Sequence, residues 1–174
     1  IKDIVKDGET VSVGGSMTLF EIKIIDFLRS GRYNFLDRYK ENLTQTDLKE
    51  IYRKSFSANT YFASANAITE EGEIFNVDGN GNRVAAILYG PDKVILIVGV
   101  NKIVKNIDEA IKRNKDISGP ANAKRLNLQT PCAKVGYCMD CKSKDRICCE
   151  YTVIKRQRNE NRIHVIFVND NLGF

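Results

Sequence analysis

Short apolar runs alternate with helical segments along this chain, and that order constrains its fold more than any other feature. The runs TVSV, NTYFASA, EIFNV, VAAILYG, KVILIVG, YTVIK and RIHVIFV are bounded mostly by Gly, Asn, Asp or Pro, which predicts β-strands. Strands that alternate with helices favour an α/β sheet. A chain of 174 residues, of which 43% are apolar, is long enough for one domain with its own core.

Three helices are expected between the predicted strands. The first begins at a capping box formed by Thr18 and Glu21, the second covers residues 46–56, and the third is capped by Asn106. The chain opens with IKDIVKDG, which resembles the end of a helix. We therefore expect an amino-terminal helical segment to precede residue 1 in the natural protein.

The charge and hydropathy patterns limit the class of protein. The longest apolar run, residues 94–100, is too short to span a bilayer, and no signal-peptide pattern is present, so a cytoplasmic protein is expected. The net charge of +5 comes from Lys and Arg that are concentrated in the second half. Such an excess suits an anionic ligand or partner, although most surface charge is simply solvated.

The segment VGGSMT is the first candidate site. Gly14 and Gly15 allow a ligand to approach the backbone closely, and the following helix start favours an anion. The hydroxyls of Ser16 and Thr18 can add hydrogen bonds. The alternative is an ordinary strand-to-helix turn in which Thr18 only caps the helix.

A second candidate site lies in residues 64–85, which are rich in side-chain amides and glycines. A calcium loop is excluded because Arg83 stands where that loop requires glycine. One interpretation is a hairpin whose Asn and Gly residues form turns. The other is a polar pocket for a small acidic or phosphorylated ligand, formed by Asn66, Thr69, Asp78, Asn82 and Arg83.

All the cysteines lie in the segment PCAKVGYCMDCKSKDRICC. Cys138 and Cys141 form a CxxC pair, with Cys132 before it and Cys148 and Cys149 after it. Such a pair suits zinc or one corner of an iron–sulfur cluster. The odd count and the absence of a secretory signal argue against structural disulfides. A metal or cluster site is favoured over a redox thiol system or inert cysteines, and the spacing does not identify the metal.

Two further places carry polar residues of interest. Asn122, Lys124 and Arg125 in PANAKRL suit either a solvated helix or an anion contact. His164 is the only histidine of the chain and lies in a predicted strand, where a structural role is commoner than proton transfer.

Long stretches of the chain resemble the lactate-utilisation (LUD) domain family, in the branch with a cysteine-rich insert. These stretches are VGGSMTL, residues 66–114, PANAKRL, the cysteine segment and RIHVIFVNDNLGF. The resemblance implies a single α/β domain over residues 1–174, with the insert at about 130–150 and a mostly parallel sheet in a three-layer sandwich. Its fold would be that of ribose-5-phosphate isomerase, glucosamine-6-phosphate deaminase and CoA transferases.

The same resemblance implies functional residues. In those folds a Gly-Ser-Thr loop binds anionic substrate, which matches Gly14, Gly15, Ser16 and Thr18. The branch pattern has four cysteines, which match Cys132, Cys138, Cys141 and Cys148, and leaves Cys149 as the spare. The family is linked to lactate oxidation, where some members act beside iron–sulfur subunits.

Two functional classes follow, and a third is weaker. The first is an accessory protein or subunit of 2-hydroxyacid oxidation that binds lactate, pyruvate or another small anion, with a metal or iron–sulfur site. The second is a non-redox isomerase or acyl-transfer enzyme in which Asp78 or Glu70 acts as general base. Nucleic-acid binding is the third class, and it is the weakest because the aromatic residues near the cysteines do not form a stacking platform.

Overall fold

The structure, a computed structural model, describes residue 1 and residues 3–174. It contains nine strands among these residues, β1 (Thr10–Val13), β2 (Asn34–Leu36), β3 (Thr60–Ala63), β4 (Ala67–Thr69), β5 (Ile74–Asp78), β6 (Lys93–Gly99), β7 (Ile103–Val104), β8 (Glu150–Ile154) and β9 (Ile163–Val168). Its seven α-helices are α1 (Met17–Glu21), α2 (Ile24–Leu28), α3 (Gln45–Lys54), α4 (Asn82–Leu88), α5 (Ile107–Arg113), α6 (Gly119–Arg125) and α7 (Pro131–Val135).

Five of the strands form a parallel sheet in the order β2-β1-β3-β6-β9. The chain goes from β1 to β2 on one side and then to β3 on the other, so the direction of winding reverses between β1 and β3. In open α/β sheets, ligands bind at the carboxyl ends of the strands beside such a reversal. The sheet order therefore indicates where a site should lie. A second, four-stranded sheet has the order β7-β4-β5-β8.

The core lies on both faces of the parallel sheet. Alternate residues of the strands, such as Val11, Phe62 and Ile95, face α1 and α2 on one side. The intervening residues face α4 and the inner side of the second sheet, and α5 covers the outer side of that sheet. This is the predicted three-layer α/β arrangement. Each fully buried Leu, Ile or Phe in these layers contributes about 2 kcal/mol through burial.

The segment VAAILYG was predicted to be a strand, and that prediction is wrong, because most of it belongs to α4. The Asp78 carboxylate accepts hydrogen bonds from the backbone N–H groups of Arg83 and Val84, at 3.1 Å each. These bonds satisfy amides that lack partners in the first turn of a helix. A side chain four residues before α4 thus starts a helix that the apolar run does not indicate.

The first predicted helix is present with a different beginning and an interruption. Ser16 rather than Thr18 is the N-cap, since the Ser16 hydroxyl accepts from the N–H of Leu19. Lys23 adopts a left-handed conformation and separates α1 from α2. The second predicted helix corresponds to α3, which begins with a capping box formed by Thr44 and Asp47. Asn106 caps α5 as predicted.

A single turn of π-helix, Asn114–Ser118, connects α5 to α6. Such turns are frequent at functional sites. Both Asn114 and Ser118 are buried, and the Ser118 hydroxyl donates to the Asn114 side chain at 3.0 Å. In the part of the chain that the structure describes, no helix is long and apolar enough to cross a membrane.

Candidate anion-binding site

A cavity of about 280 Å³ lies at the carboxyl ends of the parallel strands. Residues 15–17 follow β1, Arg38 follows β2, residues 64–66 follow β3, and Lys102 follows β6. The cavity is therefore at the place that the reversal between β1 and β3 indicates. Residues 77–80 and 82–83, the helical residues around the π-turn, and residues 146–148 complete the lining. Its volume suits a small organic molecule.

The lining is strongly cationic. Five of the lining residues carry a positive side chain, Arg38, Arg83, Lys102, Arg125 and Arg146, and one carries a carboxylate, Asp78. Guanidinium groups match the geometry of carboxylates and phosphates, and a cavity shielded from water strengthens that attraction. The charge balance therefore favours a small anion.

Arg83 holds the strand ends together beneath the cavity. Its Nη1 donates to Asn76 Oδ1 at 2.6 Å and to the Ser64 carbonyl at 3.2 Å. Its Nη2 donates to Asn66 Oδ1 at 3.1 Å and to the Val77 carbonyl at 2.6 Å. Burial lowers the pKa of Arg83, and the nearby Asp78 opposes that effect. Since these bonds occupy its terminal nitrogens, Arg83 acts mainly as a scaffold.

Gly14 permits this position of Arg83. A Cβ atom at Gly14 would lie 2.8 Å from Cγ and 2.9 Å from Cδ of Arg83, and 3.0 Å from the Tyr61 hydroxyl. The close neighbour of this glycine is therefore an arginine side chain of the scaffold rather than a ligand. Gly15 lies on the cavity itself, where the nearest atom to an added Cβ would be Arg38 Nη1 at 3.7 Å.

Asp78 is committed to the backbone. Its carboxylate accepts from the N–H groups of Gly79 and Asn80 through Oδ1, and from those of Arg83 and Val84 through Oδ2. All four of these bonds come from backbone amides around the start of α4, so both oxygens of the carboxylate are already engaged. Its position fits a structural cap better than the predicted general base.

Lys102 is the most unusual group of the cavity. The side chain follows β6 in a short 3₁₀ turn, and the residue is only 4% exposed. Its Nζ donates to Thr18 Oγ1 at 2.9 Å and to Ser64 Oγ at 3.3 Å. Burial lowers the pKa of Lys102 to about 8, and the charges of Arg113 and Arg83 add to this effect. Within the described residues, no carboxylate forms an ion pair with it.

Arg38 lines the cavity with a guanidinium that the protein uses only in part. Its guanidinium lies over the rings of Tyr52 and Tyr39, at 4.7 Å and 5.4 Å from their centroids, and Nη2 donates to the Tyr52 hydroxyl at 2.8 Å. Its Nε is buried and has no hydrogen-bond partner in the described part of the chain. A buried donor without a partner is rare and calls for an explanation. A ligand carboxylate that accepts from Nε and a terminal nitrogen would supply one.

Most of the predicted binding residues meet at this cavity. The lining includes Gly15, Ser16, Asn66, Asp78, Asn82, Arg83 and Asn122. Gly14 and Thr18 lie directly behind it, where Gly14 contacts Arg83 and Thr18 binds Lys102. The Asn122 amide also donates to the Ser118 carbonyl and accepts from Arg125.

The other predicted residues lie elsewhere. Thr69 is buried in the β4–β5 turn, where its hydroxyl accepts from the N–H of Glu73, and Glu70 is exposed beside it. Lys124 borders a separate surface cavity with Cys132. His164 lies in the edge strand β9, beside Ile95 of β6. None of these four residues lines the anion cavity.

The cysteine segment contacts the cavity through Cys148 and Arg146. Arg146 donates to the carbonyls of Cys141 and Cys148, at 2.8 and 2.9 Å, and so ties this loop together. Burial raises the pKa of Cys148, the charge of Arg146 opposes that rise, and the charges of Cys138 and Cys141 add to it.

The thiols do not form a metal site in the arrangement that the structure gives them. Across residue 1 and residues 3–174, no group of three or more His, Cys, Asp or Glu side chains has positions that could hold a metal ion. Cys132 is apart from the other three, with its sulfur 3.3 Å from the Thr130 hydroxyl and its side chain on the surface cavity that Lys124 borders. The four-cysteine site stays a prediction from the resemblance.

Four polar or charged residues of the lining stand out among those that were not identified from the sequence. They are Arg38, Lys102, Asn114 and Ser118. Lys102 could have been identified as a cation soon after a strongly apolar strand. The carboxyl ends of parallel strands converge on the ligand site, so a cation placed there is a candidate ligand contact. No local pattern distinguishes Arg38 or the π-turn residues from surface residues.

Comparisons with known proteins identify the family. A model of the family described as LUD domain matches residues 1–168. No curated protein matches the chain. A solved structure described as a DUF162 family protein from Deinococcus radiodurans is similar, with 14% identity, coverage of 93% of this chain and 88% of that chain, and a TM-score of 0.39. Since the family model spans nearly all of the sequence, the chain belongs to the LUD domain family, which is associated with lactate utilisation.

Proposed function

We propose that this protein binds a small 2-hydroxy or 2-oxo carboxylate, such as lactate or pyruvate, as an accessory or subunit of 2-hydroxyacid oxidation. The observation that carries the proposal is the cavity at the strand ends, with five cations around it and its one carboxylate committed to backbone amides. Arg38 would hold the carboxylate through its unpartnered Nε. The hydroxyl or keto oxygen of the ligand would face the polar side chains of the opposite lining.

The non-redox alternative has less support from the geometry. Its two candidate bases were Asp78, whose oxygens already accept four N–H groups, and Glu70, which is exposed away from the cavity. A phosphorylated ligand nevertheless suits a cationic cavity as well as a carboxylate does. Inorganic phosphate therefore belongs among the ligands to be tested.

Calorimetric titration of the full chain with lactate, pyruvate, propionate and phosphate tests the binding proposal. Lactate and pyruvate should bind more tightly than propionate, which lacks the oxygen at C2. Arg38→Gln should weaken binding at least about tenfold, which is the loss expected when one charge-assisted hydrogen bond of about 1.5–3 kcal/mol is removed. Arg158→Gln, at an exposed position outside the cavity, is the matched control and should leave binding unchanged. Preferential binding of phosphate would favour the isomerase or acyl-transfer class instead.

The redox part of the proposal depends on the cysteine segment. The charges of Cys138 and Cys141 disfavour a thiolate at Cys148, and a bound cation would favour it. A metal or cluster bound there would supply electron transfer if it is iron–sulfur, or a structural link if it is zinc. In the described residues no three of these thiols are placed to share a metal ion, so a bound metal would require the segment to rearrange, and no step of the binding account relies on the metal.

Metal analysis and an absorption spectrum of protein purified without oxygen test that part. Stoichiometric iron with a broad visible absorption band, lost in Cys138→Ser and Cys141→Ser but kept in Cys149→Ser, would support the redox role. Cys149 is the matched control because it is exposed and lies outside the four-cysteine pattern. Stoichiometric zinc would assign the segment a structural role, and protein without metal would contradict the proposed site.

A further inference from the structure

Lys102 and Lys93 lie near opposite ends of β6 and have opposite surroundings. Lys93 begins the strand, and its Nζ forms an ion pair with Glu9 at 2.7 Å and donates to the Ile4 carbonyl at 2.9 Å. Lys102 follows the strand, is almost fully buried, and has two hydroxyls as its hydrogen-bond partners. The first arrangement stabilises an ammonium ion, whereas the second lacks the carboxylate that a buried ammonium requires.

The hydrogen bonds around Lys102 match a neutral amine. A neutral amine has two hydrogens and one lone pair. Two acceptors are in place for the hydrogens, Thr18 Oγ1 and Ser64 Oγ. The two hydroxyls have their own acceptors, since Thr18 donates to the Leu172 carbonyl at 3.3 Å and Ser64 to that of Ala65 at 3.5 Å. Within the described residues, the third hydrogen that an ammonium ion carries finds no acceptor.

The charges around Lys102 also favour the neutral amine. Arg83 and Arg113 disfavour its protonated form, and burial contributes more than either. Glu21 opposes them and is the weakest of these influences. A lysine that is desolvated and close to other cations is the arrangement that makes an amine nucleophilic near neutral pH. With a pKa of about 8, about one Lys102 side chain in ten is neutral at pH 7, against about one in three thousand for an ordinary lysine.

We propose that Lys102 captures the keto group of a 2-oxo acid as a Schiff base in the anion cavity. The inference rests on the proposed function, because the carboxylate of the ligand must first be held by the cationic lining. The neutral Nζ adds to the ketone carbon and forms a C–N bond as the carbonyl π bond opens, and one proton passes from the nitrogen to the oxygen. The resulting carbinolamine loses that oxygen as water with a second proton, which leaves a protonated imine. No oxidant or reductant takes part.

Reduction with borohydride in the presence of pyruvate tests the proposal. Hydride from borohydride adds to the imine carbon and converts it into a stable secondary amine, which peptide mass mapping locates. The adduct should appear on Lys102 and exceed that on an ordinary exposed lysine by about three hundredfold, which is the ratio of the two neutral fractions at pH 7. Lys93 of the same protein is an internal control, since Glu9 and the Ile4 carbonyl hold its Nζ outside the cavity. Lactate, which has no carbonyl, should give no adduct.

Calorimetric titration of the parent protein with pyruvate, run beside the trapping experiment, separates this inference from the proposed function. Lys102→Arg cannot form an imine, so the pyruvate adduct should disappear in that variant. Pyruvate binding to the parent without a trapped adduct on Lys102, or with adducts spread over surface lysines, would overturn the Schiff-base proposal alone. Absence of both binding and adduct would refute the proposed function and this inference with it. Lys102→Met, checked by circular dichroism, provides a second variant if the arginine does not fit.

Discussion

The burial of Lys102 predicts a pH dependence of stability with an unusual sign. Its pKa falls from 10.5 to about 8 on folding, mainly through burial and with help from Arg113 and Arg83. Below pH 8 the lysine is protonated in both states, and the folded state bears the full cost of a buried charge. Between pH 8 and 10.5 the folded state has released the proton while the unfolded chain still holds it. Raising the pH therefore stabilises the folded protein over this window.

The size of this effect follows from the two pKa values. The cost of keeping Lys102 charged in the folded state is about 3 kcal/mol at pH 7, because one pKa unit corresponds to about 1.4 kcal/mol. At pH 9.5 the remaining cost is about 1.4 kcal/mol. This single residue should thus add about 2 kcal/mol to the free energy of unfolding between pH 7 and pH 9.5.

Urea unfolding of the parent and Lys102→Met at several pH values from 7 to 9.5, with a reductant to keep the thiols free, measures this contribution. Other groups also titrate in this range, so the relevant quantity is the difference between the two proteins. That difference should shift by about 2 kcal/mol in favour of the parent as the pH rises. Lys49→Met, at an exposed position of α3, should show no such shift. A difference that does not change with pH would refute the account of Lys102.

Three further substitutions test the account, two at the scaffold of the cavity and one at the cap of α3. Arg83→Met should lower the free energy of unfolding in urea by about 3–5 kcal/mol because it leaves buried acceptors unpaired. The control Arg158→Met should change it by under about 0.5 kcal/mol. A loss of less than about 1 kcal/mol for Arg83→Met would contradict its role as a scaffold. Gly14→Ala should cost about 1–3 kcal/mol in a thermal melt, since its Cβ would approach Arg83 Cγ to 2.8 Å, and an unchanged midpoint would show that the contact relaxes freely. Thr44→Ala removes the hydrogen bond that the Asp47 N–H donates to the Thr44 hydroxyl at 3.2 Å, and it should lower the stability by about 1 kcal/mol in the same assay. An unchanged midpoint would mean that water replaces the cap.

The sequence predicted the parts of the fold that depend on local pattern. The apolar runs of β3, β5, β6 and β9 and the cap of α5 are where the pattern places them. The prediction failed for VAAILYG because the choice between strand and helix there depends on Asp78, which lies outside the run. A short apolar run has no length or period by which to separate the two structures.

The residues of the site were likewise predicted where a local pattern marks them and missed where distant strands determine their position. Gly15, Ser16, Asn66 and Arg83 were predicted because glycines, hydroxyls and amides stand out in a local pattern, and the structure brings them to one cavity. Lys102 was missed because its burial arises from strands that are distant in sequence. Its partners Thr18 and Ser64 lie 84 and 38 residues away along the chain.

Chemical-shift mapping of the backbone amides during a pyruvate titration tests the central claim most directly, because it locates the ligand without a substitution. We predict that the largest shifts fall on residues 14–16, 64–66 and 79–82, which surround the cavity at the ends of the parallel strands. Largest shifts at residues 131–136, beside the separate cavity that Lys124 borders, would contradict the assignment of the anion site.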